Sequence, residues 1–142
     1  MKYGYLEKEK APICEAPWTP LSSGCYLIVE KPMTFVDAQY YCESRKAMLL
    51  EFETYEESQI IKEELSRLSK RNSYYWLGLS DAYKEGEWEW VSSGENPSFY
   101  DWADQPDNHQ NNEHCAQMCG WDGGWNDIPC DNMSSATICE KI

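Results

Sequence analysis

Three short stretches of this chain offer a metal only oxygen donors: Gln105-Pro106-Asp107, Glu113, and Trp125-Asn126-Asp127. Their two amides and three carboxylates form a hard-ligand set. Such a set suits calcium, which takes roughly six to eight oxygens at about 2.3–2.6 Å, and suits zinc or copper poorly. Pro106 stands between two of the donors, and a cis bond there would direct both side chains to one side. Each tripeptide alone is a weak signal. Together, with Glu113-His114-Cys115 between them and Cys130 close behind Asp127, they are a strong one. Catalysis has no comparable support, because no nucleophile is accompanied by a base and an orienting acid at telling spacing.

These donors lie in and just after a stretch, Ser80 to about Asn112, in which neither helical nor strand periodicity is visible. A loop this long in a compact domain is either functional or disordered. Its tryptophans, Trp88, Trp90 and Trp102, argue for order, since such rings are held by packing. Its excess of carboxylates and amides argues that a cation helps to hold it. Before it, the chain reads as ordinary alternating elements. Gly24–Val29 is a strand. Thr34 caps a helix from Phe35 to about Lys46, with Phe35, Ala38 and Cys42 on one face. Met48-Leu49-Leu50 is a short buried run. Thr54-Tyr55-Glu56-Glu57 is a capping box that opens a second helix to about Lys70, with Ile61, Leu65 and Leu68 as its apolar stripe. Tyr75–Leu79 is a strongly apolar strand. No repeat, low-complexity segment or linker divides the chain.

The 142 residues are one domain's worth, enough to bury a real core. The net charge of −13 excludes nucleic acid as the natural partner, because such a surface repels phosphate backbones. No apolar run approaches the ~18 residues of a membrane span. Seven Trp and ten Tyr exclude an unfolded acidic chain. The seven cysteines are scattered, with no Cys-x-x-Cys pair, which points to disulfides and an oxidising, extracellular compartment. The odd count leaves at least one thiol over, and arithmetic alone leaves the pairing open. Residues 1–8 have no apolar leader core, so a secreted protein would have lost its signal already, with Met1 an added initiator. Asn132-Met133-Ser134 is a sequon for N-glycosylation, a motif that also arises by chance.

Taken together, these residues resemble a C-type lectin-like domain over residues 14–142, with residues 1–13 as an N-terminal tail. Trp76-Leu77-Gly78-Leu79 resembles that family's core strand, Gly86-Glu87-Trp88-Glu89-Trp90 and Trp102 its long-loop landmarks, and Ile138-Cys139-Glu140 its closing strand. The resemblance implies an α+β fold: two helices, two small antiparallel sheets and a long calcium-binding loop. It implies the disulfides Cys14–Cys25, Cys42–Cys139 and Cys115–Cys130. Cys119 is left over, and on the expectation that it is exposed on the site face it becomes a candidate for an interchain bridge in a homodimer. A zinc cluster of His109, His114, Cys115 and Cys119 is set aside, since Cys115 is claimed by a disulfide and zinc sites prefer paired spacings.

The resemblance also assigns roles. Gln105, Asp107, Glu113, Asn126 and Asp127 would hold calcium and hydrogen-bond two vicinal sugar hydroxyls. Gln-Pro-Asp goes with galactose-type sugars, so glycans ending in galactose or N-acetylgalactosamine are the expected partners. His109 and Trp121 are the candidate aromatic contacts to the sugar, with His109 standing where galactose-type relatives often place Trp or Tyr. A weaker second calcium site would use Asp81 and Glu85 and share Glu113, with Asn108 and His114 standing where carboxylates are often found. The expectation is a secreted, non-enzymatic, calcium-dependent lectin of the innate-recognition kind, without membrane insertion. The alternative is a non-sugar interaction protein on the same fold: ice-binding, mineral-associated or protein-binding.

Overall fold

The computed structural model describes residues 13–21, 24–103 and 112–141. Strands β1 (Thr19–Leu21) and β2 (Gly24–Val29) pair as an antiparallel hairpin, tied by Cys14–Cys25. Helix α1 (Phe35–Glu43) starts at Thr34, whose hydroxyl accepts from the Asp37 N–H at 3.1 Å. It buries Phe35, Ala38 and Cys42, the stripe its spacing dictates. The helix stops short of Lys46 because the chain must turn back into β3 (Ala47–Leu49), and Lys46 itself adopts φ 58°. Helix α2 (Tyr55–Arg67) carries the full capping box, Thr54 with Glu57, and ends before Lys70, with Ser69 at φ 60°. Ile61 and Leu65 are buried; Leu68 is half-buried.

The remaining strands are β4 (Tyr74–Ser80), β5 (Glu89–Trp90), β6 (Cys115–Cys119), β7 (Trp125–Ile128) and β8 (Ser135–Lys141). They complete two small sheets. In the first, β2 and β3 both pair antiparallel with β8. In the second, β5 and β6 pair with β4, and β7 pairs with β6, all antiparallel. The expected pair of antiparallel sheets is therefore present, but β8 belongs to both. Its first residues, Ser135 and Ala136, run parallel to Tyr74 and Tyr75 and join the sheets.

Two tryptophans with no exposed surface centre the core. Trp76 donates its indole N–H to the Met33 carbonyl at 2.8 Å and meets Phe35 edge-on at 5.6 Å. Trp125 is ringed by Phe52, Trp90, Phe99, Tyr100 and Trp102, with centroids 5.4–6.4 Å away. Four of these five rings come from the long loop, which is therefore held by aromatic packing where the sequence shows no periodicity. The disulfides are Cys14–Cys25, Cys42–Cys139 and Cys115–Cys130, as the resemblance implies.

Cys119 corrects an expectation. It is free, but it is buried in β6 with 5% exposure, and its N–H donates to the Gly124 carbonyl at 2.8 Å. Burial pushes the thiol pKa up, which lowers the thiolate fraction that disulfide exchange needs. No thiol is presented there for a second chain. Among the described residues, no helix is long and apolar enough to cross a membrane.

Candidate functional site

The β6–β7 hairpin and the stems of the loop before it build the site. Ala116 pairs with Asp127 and Gln117 with Asn126, so both donors of Trp125-Asn126-Asp127 sit on β7 within a hydrogen-bonded ladder. Asp127 is nearly buried, at 8% exposure, and Asn126 is half-buried. Glu113, also half-buried, lies two residues before β6, whose first residue, Cys115, pairs with Ile128, the residue after Asp127. Ladder register therefore brings Glu113 to the Asp127 end of the hairpin. Cys115–Cys130 crosses that end and holds it covalently.

The other stem is pinned from the opposite side. Trp102 bridges to Trp125, the Ala103 N–H donates to the Trp125 carbonyl at 2.9 Å, and the Trp125 N–H donates to the Asp101 carbonyl at 2.9 Å. Gly124 eases this approach, because a Cβ on it would lie a tight 3.0 Å from the Ala103 Cβ. The chain thus leaves Ala103 beside β7, two residues before Gln105. Gln105, Asp107 and His109 themselves, and the peptide bond at Pro106, lie outside the described residues.

Trp121 is in a different place from the rest. It is carried by the hairpin turn, roughly 15 Å along the strand from the Ala116–Asp127 pair at ~3.3 Å per residue. Its ring meets Tyr74 edge-on at 5.1 Å and flanks a cleft with Lys62, Ser66 and Arg71. The structure therefore sets Trp121 apart from Glu113, Asn126 and Asp127, partly exposed and against Tyr74.

A second group of donors forms where the long loop begins. Asp81 and Glu85, which the sequence ties only loosely, come together with His114, and all three ligand atoms lie within 4.8 Å of one another. His114 Nδ1 is 3.1 Å from Asp81 Oδ1 and 3.4 Å from Glu85 Oε1. Backbone contacts fix the arrangement: the Asp81 N–H and the Ser80 hydroxyl both donate to the His114 carbonyl, at 3.1 and 2.7 Å. The Glu85 carboxyl is pushed above its ordinary range by desolvation first, then by the Asp81 charge, with Asp127 adding to it. Asp127 is thus close enough to be felt, and the two donor groups share one acidic end of the molecule. From sequence, His114 reads as a missing carboxylate of the second calcium site and as one member of the zinc cluster set aside. Its position directly after Glu113 was the available signal, and its partners emerge only when β4 and β6 pair.

Comparison with known proteins fits this geometry. Residues 31–141 match the Lectin C-type domain family. C-type lectin BiL of Bothrops insularis is 32% identical over 140 residues, which cover 95% of this chain and 87% of that protein. C-type lectin domain family 4 member M of Gorilla gorilla gorilla is 32% identical over 130 residues, or 90% of this chain, but the match spans only 33% of that protein. The human scavenger receptor C-type lectin carbohydrate-recognition domain superimposes with a TM-score of 0.81 at 34% identity, covering 91% of this chain and 98% of that one. A Ca2+-dependent type II antifreeze protein in its Ca2+-free form superimposes with a TM-score of 0.76 at 30% identity, covering 91% and 100%. The family is carbohydrate-binding and non-enzymatic, although its relatives also include antifreeze proteins. With the family match covering most of its length, the chain belongs to the C-type lectin domain family.

Proposed function

We propose that this chain is a secreted, calcium-dependent lectin for glycans ending in galactose or N-acetylgalactosamine. Gln105, Asp107, Glu113, Asn126 and Asp127 would hold the ion, and their chemistry fits it: five oxygen donors, three of them carboxylates. The observation that carries the reading is the placement of Glu113, Asn126 and Asp127 at one end of the β6–β7 hairpin, beside the stem that leads to Gln105.

When bound, calcium supplies a positive centre to which sugar hydroxyl oxygens can bind. The chain's own side chains do the discriminating. Carboxylates accept hydrogen bonds from the hydroxyls and amide nitrogens donate to them, so the order of amide and acid decides which hydroxyl geometry is matched. Gln105 before Asp107 reverses the order of the Glu-Pro-Asn arrangement that goes with mannose-type sugars. The apolar face of the sugar falls to His109.

The test is a glycan array with and without EDTA, on wild type and on Gln105→Glu/Asp107→Asn. Wild type should bind terminal galactose only with calcium, and the double variant should shift toward mannose. Galactose retained in excess EDTA would refute the mechanism. The antifreeze likeness supports one competing reading, an ice-binding protein. That reading gains if the array is blank and ice recrystallisation is inhibited.

A further inference from the structure

The Asp81–Glu85–His114 group does not suit the calcium that the resemblance expects at a second site. Calcium takes oxygen ligands, and one of the three groups here is an imidazole. Imidazole nitrogen suits zinc-class ions, and two carboxylates with one histidine form a mixed nitrogen–oxygen set of the kind they accept. We infer that this group is a zinc-binding site, distinct from the calcium ligands on β7.

Distances support the assignment. For zinc–ligand bonds of about 2.0–2.1 Å, tetrahedral geometry separates neighbouring ligand atoms by roughly 3.3–3.4 Å. His114 Nδ1 stands 3.1 Å from Asp81 Oδ1 and 3.4 Å from Glu85 Oε1, so both histidine separations already fit, and all three ligand atoms lie within 4.8 Å. The same nitrogen either shares a proton with the two carboxylates or, with the ring proton on Nε2, joins them around an ion. The supporting bonds are of the type that orient metal ligands: Asp81 Oδ2 accepts from the Gly86 N–H at 2.9 Å, leaving Oδ1 turned to His114. The Asp81 side chain is 1% exposed, His114 31% and Glu85 55%, so the site is anchored at its base and open at Glu85. An ion can enter at the exposed Glu85 side, and water or a partner's donor would complete its coordination. This inference does not rest on sugar binding.

The test uses the whole chain saturated with calcium, so that the oxygen-only ligands are occupied, and titrates in zinc by calorimetry. One zinc per chain should bind, and the Nδ1 resonance of His114 should shift in nitrogen NMR of histidine-labelled protein. Cobalt in place of zinc should give visible absorption. His109→Ala should retain binding, and His114→Ala and Asp81→Asn should lose it. His114→Asp should lose zinc and gain a second calcium, because the nitrogen has become an oxygen. The inference is overturned if folded wild type takes up no zinc, if calcium displaces the zinc, or if binding survives His114→Ala. Should a variant misfold, the wild-type Nδ1 shift decides alone. A blank glycan array would sink the lectin reading and leave this one intact.

Discussion

Glu140 shows how much a single carboxyl can depend on its surroundings. On β8, it accepts the Glu51 N–H at 2.8 Å through Oε1, while Glu51 in turn accepts from Ser92 of the long loop. Desolvation, followed by the charges of Glu51, Glu57 and Glu53, pushes its pKa from 4.5 up to about 8, although the Glu51 N–H opposes this. The folded protein therefore holds this proton more tightly than the unfolded chain does. Stability falls as pH rises from about 4.5 to about 8. Glu140→Gln keeps an acceptor for the Glu51 N–H and removes the charge. The variant should match wild type near pH 4 and exceed it at pH 8 by on the order of 2 kcal/mol, read from urea midpoints at the two pH values. A variant no more stable than wild type at either pH would show that Glu140 is solvated. At the proposed sugar site, His109 is a weak platform. His109→Trp should tighten galactose binding by roughly two- to tenfold, the range that aromatic contacts contribute, as measured by calorimetry.

At the scale of elements, the β6–β7 hairpin separates ligand placement from hairpin support. Asp127 and Glu113 lie at one end. The turn at the other end packs on the segment before β4, where the Gly120 N–H donates to the Ser73 carbonyl at 2.9 Å. A Cβ on Gly120 would come within 2.6 Å of the Ser73 oxygen and 2.8 Å of the Arg71 oxygen, both backbone atoms that cannot swing aside. Gly120→Ala should cost about 1–3 kcal/mol of stability by overpacking. It should leave calcium affinity in the folded protein within a few-fold of wild type, whereas Asp127→Asn should weaken calcium far more with little loss of stability. Denaturation curves and calcium titrations on both variants separate the two ends. Equal calcium losses would mean that the hairpin transmits strain along its length.

For the molecule as a whole, the covalent and ionic clamps act on different parts. Cys42–Cys139 ties α1 to β8 across a separation of 97 residues, so removing it frees a long loop in the unfolded chain. Replacing both cysteines with Ala should cost about 4 kcal/mol, on the loop-closure account of disulfide stabilisation. The proposed calcium would act instead on the acidic end. An ion that binds only the native state stabilises by about 2.7 kcal/mol at one hundred times its dissociation constant. The melting temperature should rise by several degrees across a calcium titration and fall again with EDTA. An unchanged melting curve would mean that the aromatic packing around Trp125 already holds the loop unaided.

Some of this was determined by local sequence. Thr34 and the Thr54–Glu57 box start the helices where they stand, and the spacing of Phe35, Ala38 and Cys42 sets the buried face of α1. The apolar run at residues 75–79 is the interior of β4. Caps and side-chain periodicity act between residues a few positions apart, so they can be read from the chain. The five oxygen donors proposed as ligands are likewise a local reading, of residue types close to a proline and a cysteine, and the family likeness supplied the disulfide pairing. What the tertiary structure decided is non-local. The sharing of β8 between two sheets, the withdrawal of Trp121 to Tyr74, the burial of Cys119 and the meeting of Asp81 with His114 all depend on which strands pair. Strand pairing joins residues far apart in the chain, so which side chains meet across a ladder depends on the partner strand, which one segment's own pattern does not name.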